Sequence, residues 1–325
     1  MVMNFVTKKR KLGMTDIEVT PIGLGCNEFS GGKGIFGVYF PDLPQSKVNA
    51  IVKAALDGGI NWFDTAEMYG FGHSEAMLSQ ALKSAGARDN DVVVATKWFP
   101  LLRTAGSITR TINTRLRFLG GFEIDLYMVH EPWGFSSPEA EMDAMADLCA
   151  VNKIRSVGVS NFNVERMQRA HEALKKRGLT LAVNQVRYNL LHREIEKEGI
   201  VEAAKELGIT LIAWGPLSSG LLTGKYHQSP ERLEQVPLGR RMLIKREIEP
   251  SRPVVNALVE IAKIYDVTPA QVALNWLIHF NDETVVAIPG ATKVRHAKMN
   301  AEVMKFKLDD DDMARLDEVS AKLKL

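Results

Sequence analysis

Short apolar runs rich in β-branched residues alternate along most of the chain with longer amphipathic stretches. VTPIGLG precedes SKVNAIVKAALDGG, INWFDT precedes HSEAMLSQALKSAG, and DVVVATK opens the next unit. The rhythm continues through IDLYMVH (124–130), an acidic helix near 139–151, KIRSVGVS, a helix over 163–175, TLAVNQ, a helix over 196–207 and ITLIAW, and it closes with TVVAIPG and a helix near 293–302. Apolar runs of strand length separated by helical periodicity predict parallel strands buried on both faces, because each parallel crossover needs about a dozen residues. Eight such strands predict an α/β fold, a (β/α)8 TIM barrel over residues 1–325 as one domain.

Both ends add to the barrel. The basic run Lys8-Lys9-Arg10-Lys11 leads into LGMTDIEVTPIGLG and predicts a short N-terminal β-hairpin with a solvated edge. LDDDDMARLDEVSAKL predicts an additional C-terminal helix whose aspartates favour its start. An open, doubly wound sheet is the rival architecture, but its glycine fingerprint would directly follow the first strand, and Gly23-Leu24-Gly25-Cys26-Asn27-Glu28 lacks the third glycine. The GxGxxG at Gly32, Gly34 and Gly37 runs into VYFPDLP instead of a helix, so it reads as a glycine-rich loop. SGGKGIFGVYFPDLPQ is expected to border the substrate. Pro216 to Pro250 reads as an irregular stretch long enough for a lid, with Arg240-Arg241 in reach of a phosphate.

Composition narrows the function classes. With 325 residues, 46% hydrophobic, 25% charged and a net charge of +2, the chain has the make-up of a globular enzyme and no nucleic-acid footprint. Cys26 and Cys149 cannot form a disulfide framework and fit a reducing compartment. Without a secretory apolar segment or a run approaching about 18 apolar residues, the expected address is the cytoplasm, with no membrane partner. No histidine pair at i, i+4 and no CxxC is present, so no metal is expected.

Barrel chemistry gathers at the C-terminal strand ends. There the chain places Asp64, Tyr69 in the loop that follows, Lys97 and His130. Singly, Asp64 could cap a helix and Tyr69 could pack on a surface, whereas a lysine closing VVVAT would be costly to bury without a charged partner. Together they suit carbonyl reduction: Tyr69 gives the proton, Lys97 lowers the phenol, Asp64 pairs with Lys97, and His130 donates to the substrate oxygen. Trp98 and Trp133, following strand ends beside Phe99, are expected to form an apolar substrate wall.

INWFDTAEMYG, VVVATKW, IDLYMVH, SVGVSNF, AVNQVRYNLL, GPLSSGLLTGKY and IPGATK resemble the successive signatures of the aldo-keto reductase family. The resemblance implies a (β/α)8 barrel that binds NADPH/NADP+ without a Rossmann domain and reduces an aldehyde or ketone, its tetrad falling on Asp64, Tyr69, Lys97 and His130. It further implies that Ser160, Asn161 and Gln185 hold the nicotinamide carboxamide, that Trp214 stacks on the ring, and that Gly25, Cys26 and Asn27 lie by the ribose. Gly215, Pro216, Leu217, Ser219, Gly220 and Lys225 would follow the pyrophosphate. Pro289, Gly290, Thr292 and Lys293 would take the 2′-phosphate end, and Asn300 the adenine; His296 stands where many relatives carry arginine. Histidine at 130 implies carbonyl reduction, since relatives acting on carbon–carbon double bonds carry glutamate there. An NADP(H)-binding redox sensor with little turnover is the alternative function.

Overall fold

The computed structural model describes residues 8–33 and 42–323. Two short strands, β1 (Arg10–Lys11) and β2 (Glu18–Val19), pair antiparallel. Eight more strands follow: β3 (Leu24–Gly25), β4 (Trp62–Asp64), β5 (Val93–Trp98), β6 (Leu126–Val129), β7 (Ser156–Ser160), β8 (Leu181–Arg187), β9 (Thr210–Trp214) and β10 (Val285–Ala287). Each pairs in parallel with its sequence neighbour. Parallel bridges Ile22 to Ala287 and Gly25 to Gly290 join the first of these strands to the last. That closure removes both sheet edges, and the fold is the expected (β/α)8 barrel.

Side-chain alternation sorts the strands into two apolar layers. Trp62, Val93, Ala95, Leu126, Met128, Val183, Ile212 and Val286 fill the barrel, whereas Val94, Trp98, Tyr127 and Val129 pack outward against the helices. The hairpin contributes Leu12, Ile17 and Val19 to the inner cluster. It plugs the end where strands begin, since Gly13 N donates to Thr210 Oγ1 at 2.8 Å and Trp62 Nε1 to Thr20 O at 2.8 Å. Arg10 is a correction to the solvated edge: it is buried, with guanidinium bonds of 2.5 and 2.6 Å to the carbonyls of Val285 and Ile278. Burial pushes it down to about 10, with Glu283 opposing.

Helices Gly106–Leu119 and Pro269–His279 complete the βα rhythm, and the C-terminal helix Asp310–Ala321 is capped by Asp309, which accepts from Asp312 N at 2.8 Å. The irregular stretch ends sooner than expected. Helix Leu238–Tyr265 runs straight through Pro250 and Pro253. A proline lacks the N–H that would reach the carbonyl four residues earlier, here those of Arg246 and Glu249, yet the helix continues past both positions. The glycine-rich loop falls largely on residues 34–41, outside the described residues. No helix among the described residues is long and apolar enough to cross a membrane.

Two positions test the packing. A Cβ on Gly23 would stand 2.3 Å from the Trp62 ring, which is locked by its own hydrogen bond. Gly23→Ala should therefore lower stability by about 1–3 kcal/mol, read as a lower urea midpoint; an unmoved midpoint would mean that Trp62 can yield. Glu141, on helix Pro138–Ala150, is fully buried, and neither carboxylate oxygen has a hydrogen-bond partner. Burial, opposed by Arg166, pushes its carboxyl up to about 7 from 4.5. The folded protein thus holds this proton harder than the unfolded chain, a contribution complete below about pH 4.5 and lost as pH rises through about 7. Glu141→Gln should match the parent near pH 5 and exceed it at pH 8 by up to about 3 kcal/mol. Equal stability at both values would disprove the assignment.

Candidate active site

The inward positions at the C-terminal strand ends carry polar groups. Asp64 ends β4 and Lys97 lies in β5 beside it, and their side chains meet in the barrel with Lys97 Nζ 2.6 Å from Asp64 Oδ1, both sealed from solvent. Such a pair loses much hydration and persists only where its remaining valences are met. Here Lys97 also donates to Thr65 O at 2.9 Å, and Gln185 Nε2 donates to the second oxygen of Asp64 at 2.9 Å.

Tyr69 stands over this pair, its ring centroid 5.1 Å from Lys97 Nζ. The His130 ring meets it edge-on at 5.7 Å, so the four expected residues do converge. The phenol is raised rather than lowered as expected. Burial first, then the charge of Asp64, push Tyr69 well above the usual tyrosine range, with Glu28, Cys26 and Glu131 adding to the rise. Burial first and Lys97 second push His130 well below the ordinary histidine range, and its Nδ1 is buried with no hydrogen-bond partner. The imidazole is therefore neutral near neutrality and able to donate through one nitrogen.

Ser160 and Asn161 lie at the end of β7. Asn161 holds φ at 60°, a left-handed conformation that asparagine tolerates. Its side chain is fixed on both sides, donating to Glu131 Oε1 at 3.2 Å and accepting from Trp214 Nε1 at 2.9 Å. Arg187 lies 5.9 Å from the Trp214 ring centre. Gly25 and Cys26 adjoin the pair, the Cys26 N–H donating to Asp64 O at 2.8 Å, and Asn27 opens a short 3-10 turn.

Beyond Trp214, Gly215, Ser219 and Gly220 all take positive φ, and Arg240 donates to Ser219 O at 3.0 Å. Lys225 is pushed down by burial first and then by Arg240, Arg232 and Lys293, which marks a cluster of cations without enough counter-charge. His296 is lowered by burial and by Arg295, Lys293, Lys225 and Lys47. Thr292 is 3.5 Å from the His296 ring, Asn300 donates to Gly290 O at 3.4 Å, and Lys293 starts helix Val294–Glu302. Arg241 turns away to the carbonyls of Glu234 and Val236, so of the expected pair Arg240 alone faces this segment.

Trp98 does not line the site. It points outward from β5, fully buried, donating to Ser107 Oγ at 3.0 Å. Phe99 takes the inner place, its ring 5.8 Å from His130 and 5.5 Å from Trp133. Strand alternation holds the signal, since an inward Lys97 puts 98 outside and 99 inside. Glu131 and Thr65 were also missed, though each directly follows an expected rim residue.

The closed parallel barrel with this rim defines the class, a barrel oxidoreductase. The chain belongs to the aldo/keto reductase family, whose model matches residues 21–321. It is 33% identical over 321 residues to the pyridoxal reductase, chloroplastic, of Arabidopsis thaliana, covering 95% of this chain and 85% of that protein. Its fold matches the glycerol dehydrogenase of Gluconobacter oxydans with TM-score 0.81 and 27% identity, over 99% of this chain and 97% of that one. It also matches an aldo/keto reductase of Klebsiella pneumoniae solved with NADP and acetate, with TM-score 0.73 and 25% identity, over 96% and 95% of the two chains.

Proposed function

We propose that the chain reduces an aldehyde or ketone to the alcohol with NADPH, working as one barrel domain with Tyr69 as proton donor. The observation that carries this reading is the buried Lys97–Asp64 pair directly beneath the Tyr69 ring, with neutral His130 beside it. NADPH, when bound, supplies the hydride to the carbonyl carbon. A phenol held well above the usual range keeps its proton until the carbonyl oxygen gains negative charge, and then delivers it to that oxygen. The tyrosinate left behind lies over the Lys97 ammonium, and His130 donates to the same substrate oxygen as charge develops. Relatives named pyridoxal reductase and glycerol dehydrogenase support a carbonyl/alcohol pair.

For the cofactor, Trp214 would offer a face for the nicotinamide, and Ser160, Asn161 and Gln185 would hold its carboxamide. Asn161 and Trp214 are already locked to each other, so both are preorganised. Lys225, Arg240 and Lys293 form the cationic end that suits the phosphates, and a relative solved with NADP agrees with that choice.

Tyr69→Phe should cut the rate of NADPH absorbance loss with a panel of aldehydes by about 10²–10⁴-fold, while NADPH affinity by fluorescence titration stays within about twofold; a rate within tenfold of the parent would remove Tyr69 as donor. Lys293→Ala should weaken NADPH binding about tenfold or more, as expected for a charge-assisted bond, and leave NADH nearly unchanged. Equal losses for both cofactors would take the 2′-phosphate away from Lys293.

A further inference from the structure

Glu131 is a carboxylate that the chemistry above does not use. It directly follows His130 and is half-buried. Its oxygens accept from Asn161 Nδ2 at 3.2 Å and from Trp133 Nε1 at 3.2 Å, both neutral donors. A carboxylate can accept about four hydrogen bonds, so valence remains. Burial pushes it above the ordinary range and those two donors pull it back, with no cation among the influences. Two neighbouring carboxylates at this end are paired with cations, Asp64 with Lys97, and Glu67 with Arg103 at 2.8 Å. Among the described residues, no lysine, arginine or histidine forms an ion pair with Glu131.

The position of Glu131 follows from a run of contacts. Tyr69 meets His130, His130 meets Phe99, Phe99 meets Trp133, Trp133 donates to Glu131, and Glu131 accepts from Asn161, which is bonded to Trp214. These contacts run from the proposed proton donor to the proposed nicotinamide platform, around the mouth through which a carbonyl must enter. Glu131 therefore carries an unmatched charge at the substrate mouth, and that charge is felt by the Tyr69 phenol. Next to it lie aromatic rings, of which Trp133 is half exposed. Phe71, Leu101, Leu102 and Phe135, also in the loops after β4, β5 and β6, stay exposed at the same end and offer surface to an apolar body. A carboxylate beside exposed aromatic faces is what an organic cation seeks, because ring quadrupole and charge attract it together.

We propose that Glu131 is a specificity-determining residue that selects carbonyl substrates carrying a cationic nitrogen group, such as a quaternary ammonium or a positively charged nitrogen ring. The proposal rests on the reductase reading, so its test needs a readout that survives failure of that reading.

Two aldehydes of one shape serve as probes, 4-(trimethylammonio)benzaldehyde and 4-tert-butylbenzaldehyde. The ratio of their kcat/KM values is compared between the parent, Glu131→Gln and Glu131→Asp. Differences in carbonyl reactivity, and any shift of Asn161 common to both substrates, cancel in that comparison. The cation-to-neutral ratio should fall about tenfold in Glu131→Gln and stay within about threefold in Glu131→Asp; an unmoved ratio in Glu131→Gln overturns the proposal. The two corresponding benzyl alcohols are also titrated by calorimetry with NADP+ in excess. A cation-to-neutral Kd ratio that rises in Glu131→Gln, in a protein that turns over neither aldehyde, supports charge selection and sinks the reductase reading alone. In the parent protein by itself, tighter binding of the neutral alcohol overturns charge selection whatever the rates.

Discussion

The ion pair of Lys97 with Asp64 is the constraint around which the rim is arranged. Neither side chain touches solvent, so the attraction between them must offset a large loss of hydration, and further hydrogen bonds on both partners help it to do so. Thr65, directly after β4, and Gln185, on β8 across the barrel interior, each add one such bond. The pair consequently depends on barrel closure: open the sheet between β3 and β10, and water would reach the interior. Removing one partner would strand the other as an uncompensated buried charge, a loss of about 3–5 kcal/mol in comparable pairs. The rim is thus rigid because of its electrostatics, and the electrostatics hold because the barrel is closed.

Rigidity spreads outward through bonds that each fix one orientation. Gln185 cannot rotate without releasing Asp64. Asn161 is held by Trp214 on one side and Glu131 on the other, which fixes an aromatic plane at the end of β9 relative to a carboxylate at the end of β6. Groups locked before a ligand arrives lose little freedom on binding, and their dipoles need no reorganisation when charge develops. The neutral His130 belongs to the same logic. An imidazolium would repel Lys97, so burial and that ammonium together keep the ring in the form that donates without carrying charge.

The eight strands and the four converging residues are legible in the sequence because both follow from period and position. Apolar runs such as DVVVATK have no polar face, hence buried parallel strands, and the last polar residue of each run marks the rim. What is not legible depends on tertiary partners. Arg10 looks like a solvated edge charge until the carbonyls of Ile278 and Val285, from the other end of the chain, are placed beside it. Pro250 looks like the end of an irregular stretch, yet it lies inside helix Leu238–Tyr265. Trp98 and Phe99 are a different case, since strand alternation already distinguishes them and residue type misleads. The direction of the Tyr69 shift could not be read from neighbours in sequence, because it depends on burial and on the charge of the nearby Asp64 carboxylate.

Charge along the rim is polarised, which bears on how a bound molecule must lie. Asp64 and Glu131 act on the Tyr69 end, whereas Lys225, Arg240, Lys293, Arg295 and Lys47 act on the segment from Gly215 to Asn300, with Glu28 between them, felt by Tyr69 and itself under the influence of Arg240. The Lys97 ammonium sits within the Tyr69 end, paired with Asp64, and its charge still reaches His130. A molecule with phosphates at one end and an uncharged or cationic ring at the other has a single favourable direction in that field. The field that would bring the hydride-bearing ring to Tyr69 also leaves net negative charge over the substrate mouth. An anionic substrate would have to enter against Glu131, whereas a cationic one would be drawn to it. On the proposed reading, one distribution of charge would set both the direction of the cofactor and the charge of the substrate.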